Sequence, residues 1–390
     1  MQGRRVAVTG LGIVAPCGIG KDAFWDGLCS PVRNAERRVF DFEPEQWFDN
    51  PKEARRTDRF AQFALAAATM ALDDSGDPGA DPGRAGVIIA TGVGGLHTIE
   101  EQVRVYDGKG PRRVSPFLVP MMMANAAAAG VSMRFGWQGP CENVVTACAA
   151  STHAIANAAR LIAYGRCDAV LAGGSEAAMT EVGIQGFINM TAISTSGVSK
   201  PFDADRDGFV IAEAAAVLVL EEWEAAHARG AHIYGEIMGG ASTADAHHIT
   251  APSPGGAGAI SCMELALAEA GLRASDIRQI NAHGTSTPLN DAAEAEAIEK
   301  VFGTPGPPVT STKGVTGHAL GAAGAIEAAA VLISIERELI PPTAGFVKAD
   351  PGVHIDIVHG EPRAWEPGPT LSNSFGFGGH NGCLVIGPAE

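Results

Sequence analysis

No apolar stretch in this 390-residue chain comes near the roughly 20 helical residues that cross a bilayer; "AAAVLVL" at 214–220 is among the densest. The first residues, "MQGRRVAVTG", pass from a short basic start straight into a strand-like run with no cleavage pattern, so the chain is expected to be uncleaved, cytoplasmic and free of any membrane span. Paired cysteines are missing too. The seven cysteines (17, 29, 141, 148, 167, 262, 383) are odd in number and form no C-x-x-C, which reads as reduced thiols and not as a disulfide framework. Positive charge is scarce: 28 Lys and Arg face 44 Asp and Glu, a formal net charge of −16, which repels a phosphate backbone and argues against nucleic acid as a partner. Metal-site spacing is absent as well. There is no H-E-x-x-H, and His247 and His248 are neighbours that cannot share one face. With 46% hydrophobic and 18% charged residues, the composition excludes disorder and implies a sizeable core.

What is present is alternation. Strand-like runs ("RRVAVTG", "AGVIIATG", "DAVLAGG", "AAVLVLEE", "IRQINAHG") alternate with alanine-rich helical stretches at 61–74, 152–164 and 260–270, the pattern of an α/β fold. The pattern also repeats. "ALDDSG" leading to "IIATG" (71–92) parallels "ALAEAG" leading to "INAHG" (266–284), and "VTACAASTHAIANAA" (145–159) parallels "VTSTKGVTGHALGAAGAIEAA" (309–329). Two parallels in the same order predict a duplication, with halves 1–230 and 231–390 meeting near "EAAHARGAHIYGE", where a charged helix ends at Gly230. No Pro- or Ser-rich linker separates them, so one shared interface is expected.

"VTGLGIVAPCG" offers Gly10-x-Gly12-x-x-Ala15 after a strand, but Pro16 and Gly18 interrupt the turn and no acidic residue closes a second strand about 20 positions on, so a dinucleotide site is not supported. Cys148, in "VVTACAAST", follows an apolar run that reads as a strand and precedes a helix. A thiol at a helix N-terminus feels unpaired N–H groups that favour thiolate, which makes it a candidate nucleophile and not mere filler. His283, in "NAHGTSTP", ends a buried-type strand where a polar ring is costly unless bonded. His318, in "TKGVTGHALGAAG", is flanked by residues small enough to admit a ligand. If the repeat is real, Cys148 and the "TKGVTGH" turn occupy related strand-to-helix corners, and the three side chains face one pocket. One thiol and two imidazoles without an acidic orienter suit a developing enolate oxygen better than a protease triad. Against the global charge, Lys52, Arg55, Arg56 and Arg59 cluster, as do Lys109, Arg112 and Arg113.

These motifs resemble the β-ketoacyl–acyl carrier protein synthases of the thiolase superfamily, elongating type, most similar to synthase II. The resemblance runs from "VAVTGLGIVAPCG" through "TACAAS", "KPFDADRDGFVIAEAA", "NAHGTSTPLND" and "STKGVTGHALGAAGAIE" to "NSFGFGGHNG". It implies a thiolase-like five-layer αβαβα fold of two duplicated halves, a homodimer, no cofactor and no metal. It further implies decarboxylative condensation of an acyl chain carried on acyl carrier protein with malonyl–carrier protein. By motif, Cys148 takes the acyl chain, His283 and His318 promote decarboxylation, and the backbone N–H groups of Cys148 and Phe377 form the oxyanion hole. Lys313 pairs with Glu327 to order the site and Asp291 supports it. Ile99, Phe187, Thr285, Thr287 and Phe375 line the substrate path, and Lys52, Arg55, Arg56, Arg112 and Arg113 dock the acidic carrier.

The sequence departs from the family pattern at His380, where Thr is common, at Ser151, where Gly is frequent, and in being slightly short. Starter synthases, with Asn at the position of His318, and biosynthetic thiolases, with a second catalytic cysteine in a signature that Cys383 lacks, fit less well. A ketosynthase subunit of a type II polyketide or polyene pathway stays open. So does a silent chain-length-factor-like partner, although such partners lack the nucleophile.

Overall fold

Residues 217–220 are buried throughout, and their side chains alternate: Val217 and Val219 pack into one hydrophobic cluster, Leu218 and Leu220 into another. A strand buried on both faces must lie between two helical layers, and the computed structural model, which describes Met1, residues 3–30 and residues 36–389, builds that arrangement twice. Apart from the short strand Gly18–Ile19, which folds back on the end of the first, the first half contributes five strands: β1 (Val6–Ala15), β2 (Ala85–Ala90), β3 (Cys141–Glu142), β4 (Ala169–Glu176) and β5 (Ala214–Glu222). Their counterparts are β6 (Gly235–Ala244), β7 (Gln279–Asn281), β8 (Val309–Thr310), β9 (Thr370–Gly376) and β10 (His380–Gly387). The order across the sheet is β3-β2-β4-β5-β1-β6-β10-β9-β7-β8, so the second five strands repeat the first five in mirror order. Pairing repeats with it: β2 is parallel to β3 and β4, as β7 is to β8 and β9, and the remaining pairs in each half are antiparallel.

Helices α1 (Arg59–Ser75), α2 (Leu96–Lys109), α3 (Ala126–Phe135) and α4 (Ala150–Ala163) belong to the first half, and α5 (Ala257–Ala270), α6 (Pro288–Phe302) and α7 (Ala323–Arg337) to the second. Phe60 and Phe63 of α1 and Val131 of α3 cover the outer face of the first strands, while Cys262 and Met263 of α5 and Ile298 of α6 cover that of the second. Between the two lie α4 and α7, whose Ile155, Ile162, Ile326 and Ile333 share one core with Ile88, Val170, Leu384 and Ile386 from both sets of strands. The result is the expected αβαβα layering, with one addition: Ala7 and Val8 pair with Glu236 and Gly235, so hydrogen bonding runs from one half's strands into the other's. Gly12 sits inside β1, where a Cβ would lie 1.8 Å from the Ala67 carbonyl oxygen of α1. The Gly-x-Gly pattern therefore serves helix-on-strand packing here, with no phosphate-binding turn.

Two expectations are corrected. Ahead of Cys148 only the exposed edge pair Cys141–Glu142 is strand, and 143–146 are irregular. The corner matching Cys148 is also not the "TKGVTGH" turn itself. A helical turn, Lys313–Thr316, intervenes after β8, and the turn that feeds α7 is Leu320–Ala322, as Ala147–Ala149 feeds α4. Each of these two turns opens on a non-glycine residue at positive φ, Ala147 at 50° and Leu320 at 45°.

Candidate active site

Ala147 adopts a backbone angle that costs a non-glycine residue of order 1–3 kcal/mol, a strain that persists only where packing over-determines it. The packing here is close. The end of β9 presses on the turn, and a Cβ at Gly376 would stand 2.9 Å from the Cys148 amide nitrogen. Cys148 is buried at the foot of α4, and the Phe377 backbone N–H donates to its sulfur. Burial nevertheless pushes the thiol up to about 12, against the opposing pull of Lys313's charge and the Phe377 N–H, with Glu176 and Glu327 raising it further. Desolvation, which favours the neutral thiol, is thus the largest influence on Cys148, ahead of the groups that favour thiolate.

The two histidines arrive from the other half. His283 lies just beyond β7, and His318 follows the turn after Lys313–Thr316, where its backbone N–H donates to the Val210 carbonyl at 2.7 Å. His318 Nε2 stands 3.0 Å from Cys148 Sγ, the two rings meet edge-on at 5.4 Å, and one ligand-type atom from each of Cys148, His283 and His318 lies within 4.8 Å of the others. Both imidazoles are held well below their ordinary value, first by burial and then by Lys313's positive charge, with His318 adding to the effect on His283; both are neutral near pH 7. Lys313 Nζ donates to the His283 carbonyl at 2.6 Å and faces His283 Nδ1 at 3.4 Å, which leaves the His283 proton on Nε2.

Buried carboxylates hold this arrangement from behind. Lys313 is ion-paired with Glu327, both buried, and burial pushes Glu327 up to about 7. Asp291 accepts the backbone N–H groups of Thr285 (2.9 Å), Ser286 (3.1 Å) and Phe202 (2.8 Å), and burial raises it. Sequence reasoning missed two more. Glu294 accepts the backbone N–H groups of His283 and Gly284, each at 2.7 Å, and Glu176 accepts those of Gly92 (2.6 Å) and Gly321 (3.1 Å). Burial lifts both to about 7. The signals were available: Glu294 lies one helical turn beyond Asp291 on α6, and Glu176 is a charge closing an apolar strand.

Cys148, His283 and His318 sit in a cavity of about 380 Å³, which Thr285, Thr287, Phe375 and Phe377 also line, as expected for them. Ile99 and Phe187 do not line it. Ile99 is half-buried at the start of α2, and Phe187 stacks edge-on against Phe209 at 5.4 Å, which lines the cavity and in turn stacks on His318 at 5.3 Å, so Phe209 stands between Phe187 and His318. Lys313, Glu327 and Asp291 stand behind the lining. Of the residues outside the family pattern, Ser151 Oγ accepts the Ala325 N–H at 2.9 Å, and His380 opens β10 beside Gly378. Lys52, Arg55, Arg56, Arg112 and Arg113 are all exposed, and the Arg56 guanidinium lies over the Phe117 ring at 4.4 Å, bringing the two basic segments together.

The spacing of Cys148, His283 and His318 alone would suit a thiophilic metal. Ligating histidines, however, donate their second N–H to an acceptor, whereas here His283 Nδ1 faces the Lys313 ammonium and His318 Nδ1 has no partner among the described residues. The surroundings suit two neutral rings facing an oxygen better than they suit a cation.

Residues 30–226 match the family described as beta-ketoacyl synthase, N-terminal domain, and residues 234–347 its C-terminal domain. The chain is 43% identical to the 3-oxoacyl-[acyl-carrier-protein] synthase 2 of Synechocystis sp., covering 99% of this chain and 98% of that protein. Among solved structures it is similar to the ishigamide ketosynthase/chain length factor, with a TM-score of 0.93, 32% identity and full coverage of both chains. A type II PKS acyl-carrier protein in complex with its ketosynthase bound to the hexaketide gives a TM-score of 0.90 at 33% identity, again with full coverage of both chains.

Proposed function

This chain belongs to the beta-ketoacyl synthase family, and from that premise we propose that it condenses acyl chains with malonyl units on acyl carrier protein, with Cys148, His283 and His318 as its catalytic residues. The observation that carries the reading is the meeting of one thiol from the first half and two neutral imidazoles from the second in a single buried cavity. Cys148 Sγ attacks the thioester carbonyl of the acyl carrier; the new C–S bond forms as the carrier's C–S bond breaks, and the departing carrier sulfur takes the proton that Cys148 loses. The oxygen that becomes negative in between is met by the N–H groups of Cys148 and Phe377, a fixed pair of donors of the kind worth several kcal/mol at a developing charge. Malonyl–carrier protein then releases CO₂, and the electron pair left behind forms an enolate. Its oxygen is received by N–H donors of His283 and His318. The enolate carbon attacks the acyl-Cys148 carbonyl, and the C–S bond to Cys148 breaks to release the 3-oxoacyl product.

Neutral rings suit this step, because a donor that stays uncharged can bind the enolate without delivering a full proton to its carbon. Lys313, Glu327, Asp291 and Glu294 act as positioning residues. The exposed basic patch around Arg56 and Arg113 is opposite in sign to an acidic carrier protein and is assigned to its docking, together with Lys52, Arg55 and Arg112. The repeated strand order supports two related halves joined near residue 230. The outer edge of β3, which pairs with no strand among the described residues and has half-exposed Val145 beside it, supports a homodimer formed through that edge. Seven unpaired thiols fit a reducing, cytoplasmic location, and no described helix is long and apolar enough to cross a membrane.

Mass spectrometry of products from malonyl–carrier protein and a ladder of acyl–carrier proteins tests the activity. Chains two carbons longer are expected with the wild type and none with Cys148→Ala. Products that persist in the alanine variant would refute the assignment.

A further inference from the structure

The corner ahead of α7 repeats the catalytic corner ahead of α4, and it is already filled. Leu320, at φ 45°, stands where Ala147 stands at φ 50°, so Gly321 takes the place of Cys148. Gly321 must lack a side chain, since a Cβ there would lie 2.0 Å from the Gly92 amide nitrogen. Into this corner reaches Glu176, the last residue of β4 and fully buried. Its Oε2 accepts the N–H groups of Gly92 at 2.6 Å and Gly321 at 3.1 Å, and its Oε1 accepts the Thr91 hydroxyl at 3.1 Å. Two amides converging on one carboxyl oxygen is the geometry of an oxyanion hole. Thr91 follows β2 as His283 follows β7, so the whole corner is the counterpart of the reacting one, closed by a carboxylate of the chain's own.

The consequence reaches the cavity. Gly321 lies three residues beyond His318, in a turn held at its start by the His318 N–H to Val210 and at its end by the Gly321 N–H to Glu176. Thr91 Oγ1 also accepts the Gly94 N–H at 3.1 Å, tying the same carboxylate to the segment that enters α2. We propose that Glu176 is a positioning residue for His318: by occupying the duplicated anion-binding corner it fixes the 318–321 turn and, through it, the contact between His318 Nε2 and Cys148 Sγ. This rests on the reading of Cys148 and His318 as a reacting pair.

The test compares Glu176→Ala with Glu176→Gln, reading condensation and, separately, the rate at which iodoacetamide alkylates Cys148, which requires no acyl substrate. Misplacing a reacting group by about an ångström costs on the order of a hundredfold. Glu176→Ala is therefore expected to lose that much kcat with KM little changed and, because His318 is displaced from Cys148 Sγ, to alkylate more slowly even though loss of the carboxylate by itself favours the thiolate. Glutamine, which keeps an oxygen for the two amides, recovers most of both losses, and formate, an anion of the size removed, accelerates the alanine variant but not the wild type. An alanine variant with wild-type rates, or equal losses in both variants with no response to formate, overturns the proposal. Should Glu176→Ala not fold, Glu176→Met fills the corner without an acceptor and must fall below Glu176→Gln in alkylation. A wild-type enzyme that does not condense, beside variants that alkylate in the expected order, would sink the proposed function and leave this inference standing; ordinary condensation with unaltered variants would do the reverse.

Discussion

At the scale of single residues, the site turns on how burial shifts protons. A surface thiol loses its proton near pH 8.5, whereas Cys148, walled in at the foot of α4, is pushed up to about 12. Because the raised value leaves only a small thiolate fraction at neutral pH, alkylation of Cys148 in the free enzyme is expected to rise about tenfold per pH unit between pH 7 and 9, in proportion to that fraction. Following the mass of the Cys148 peptide with time at several pH values measures this, and a plateau below pH 7 would show that the helix end and Lys313 outweigh desolvation. The histidines run the other way. Burial favours their neutral form, and with both values depressed well below 6.5 neither ring charges in the range where a surface histidine would.

At the scale of elements, α4 and α7 hold the two halves in register. Ala325 is in the first turn of α7, where a backbone N–H has no partner within its own helix, and Ser151 of α4 supplies the acceptor at 2.9 Å. Ser151→Ala leaves that buried N–H unsatisfied and is expected to destabilise the fold by about 1–3 kcal/mol. Urea denaturation of the two proteins checks this, and an unchanged midpoint would mean that the bond contributes nothing. A glycine here, as the family pattern often has, removes the same acceptor. The helices themselves were legible in the sequence: stretches read at 61–74, 152–164 and 260–270 fall within α1 (59–75), α4 (150–163, one residue short) and α5 (257–270). Alanine is the strongest helix former, so stretches rich in it favour helix by local propensity. The strand expected before Cys148 shrinks to the pair Cys141–Glu142, because an apolar run such as Val144–Val145 does not by itself distinguish a strand from an irregular segment.

At the scale of the whole molecule, charge has a direction that composition alone conceals. A net charge of −16 repels an acidic carrier, yet Arg56 and Arg113 belong to segments brought together around Phe117. With Arg56→Glu and Arg113→Glu combined, association with carrier protein is expected to slow and its dependence on salt to flatten, while a small acyl thioester is turned over as before, because rim charges act mainly on encounter. Stopped-flow binding across a salt series measures it; a salt dependence identical to the wild type would place the docking surface elsewhere.

What the sequence by itself determined is what local pattern can carry. The alternation of apolar strands and alanine helices, the duplication of that alternation, and the three chemically unusual positions Cys148, His283 and His318 are each read from short segments, where period and side-chain type speak directly. Only the tertiary structure decided which corner of the second half answers Cys148, that burial dominates the surroundings of the thiol, that Glu294 and Glu176 accept the backbone amides beside the site, and that Ile99 and Phe187 lie outside the cavity lining. Each of these depends on groups more than a helix apart coming within hydrogen-bond range in a medium without water. Desolvation and amide direction are set by the packed neighbours and not by the residues beside them in the chain.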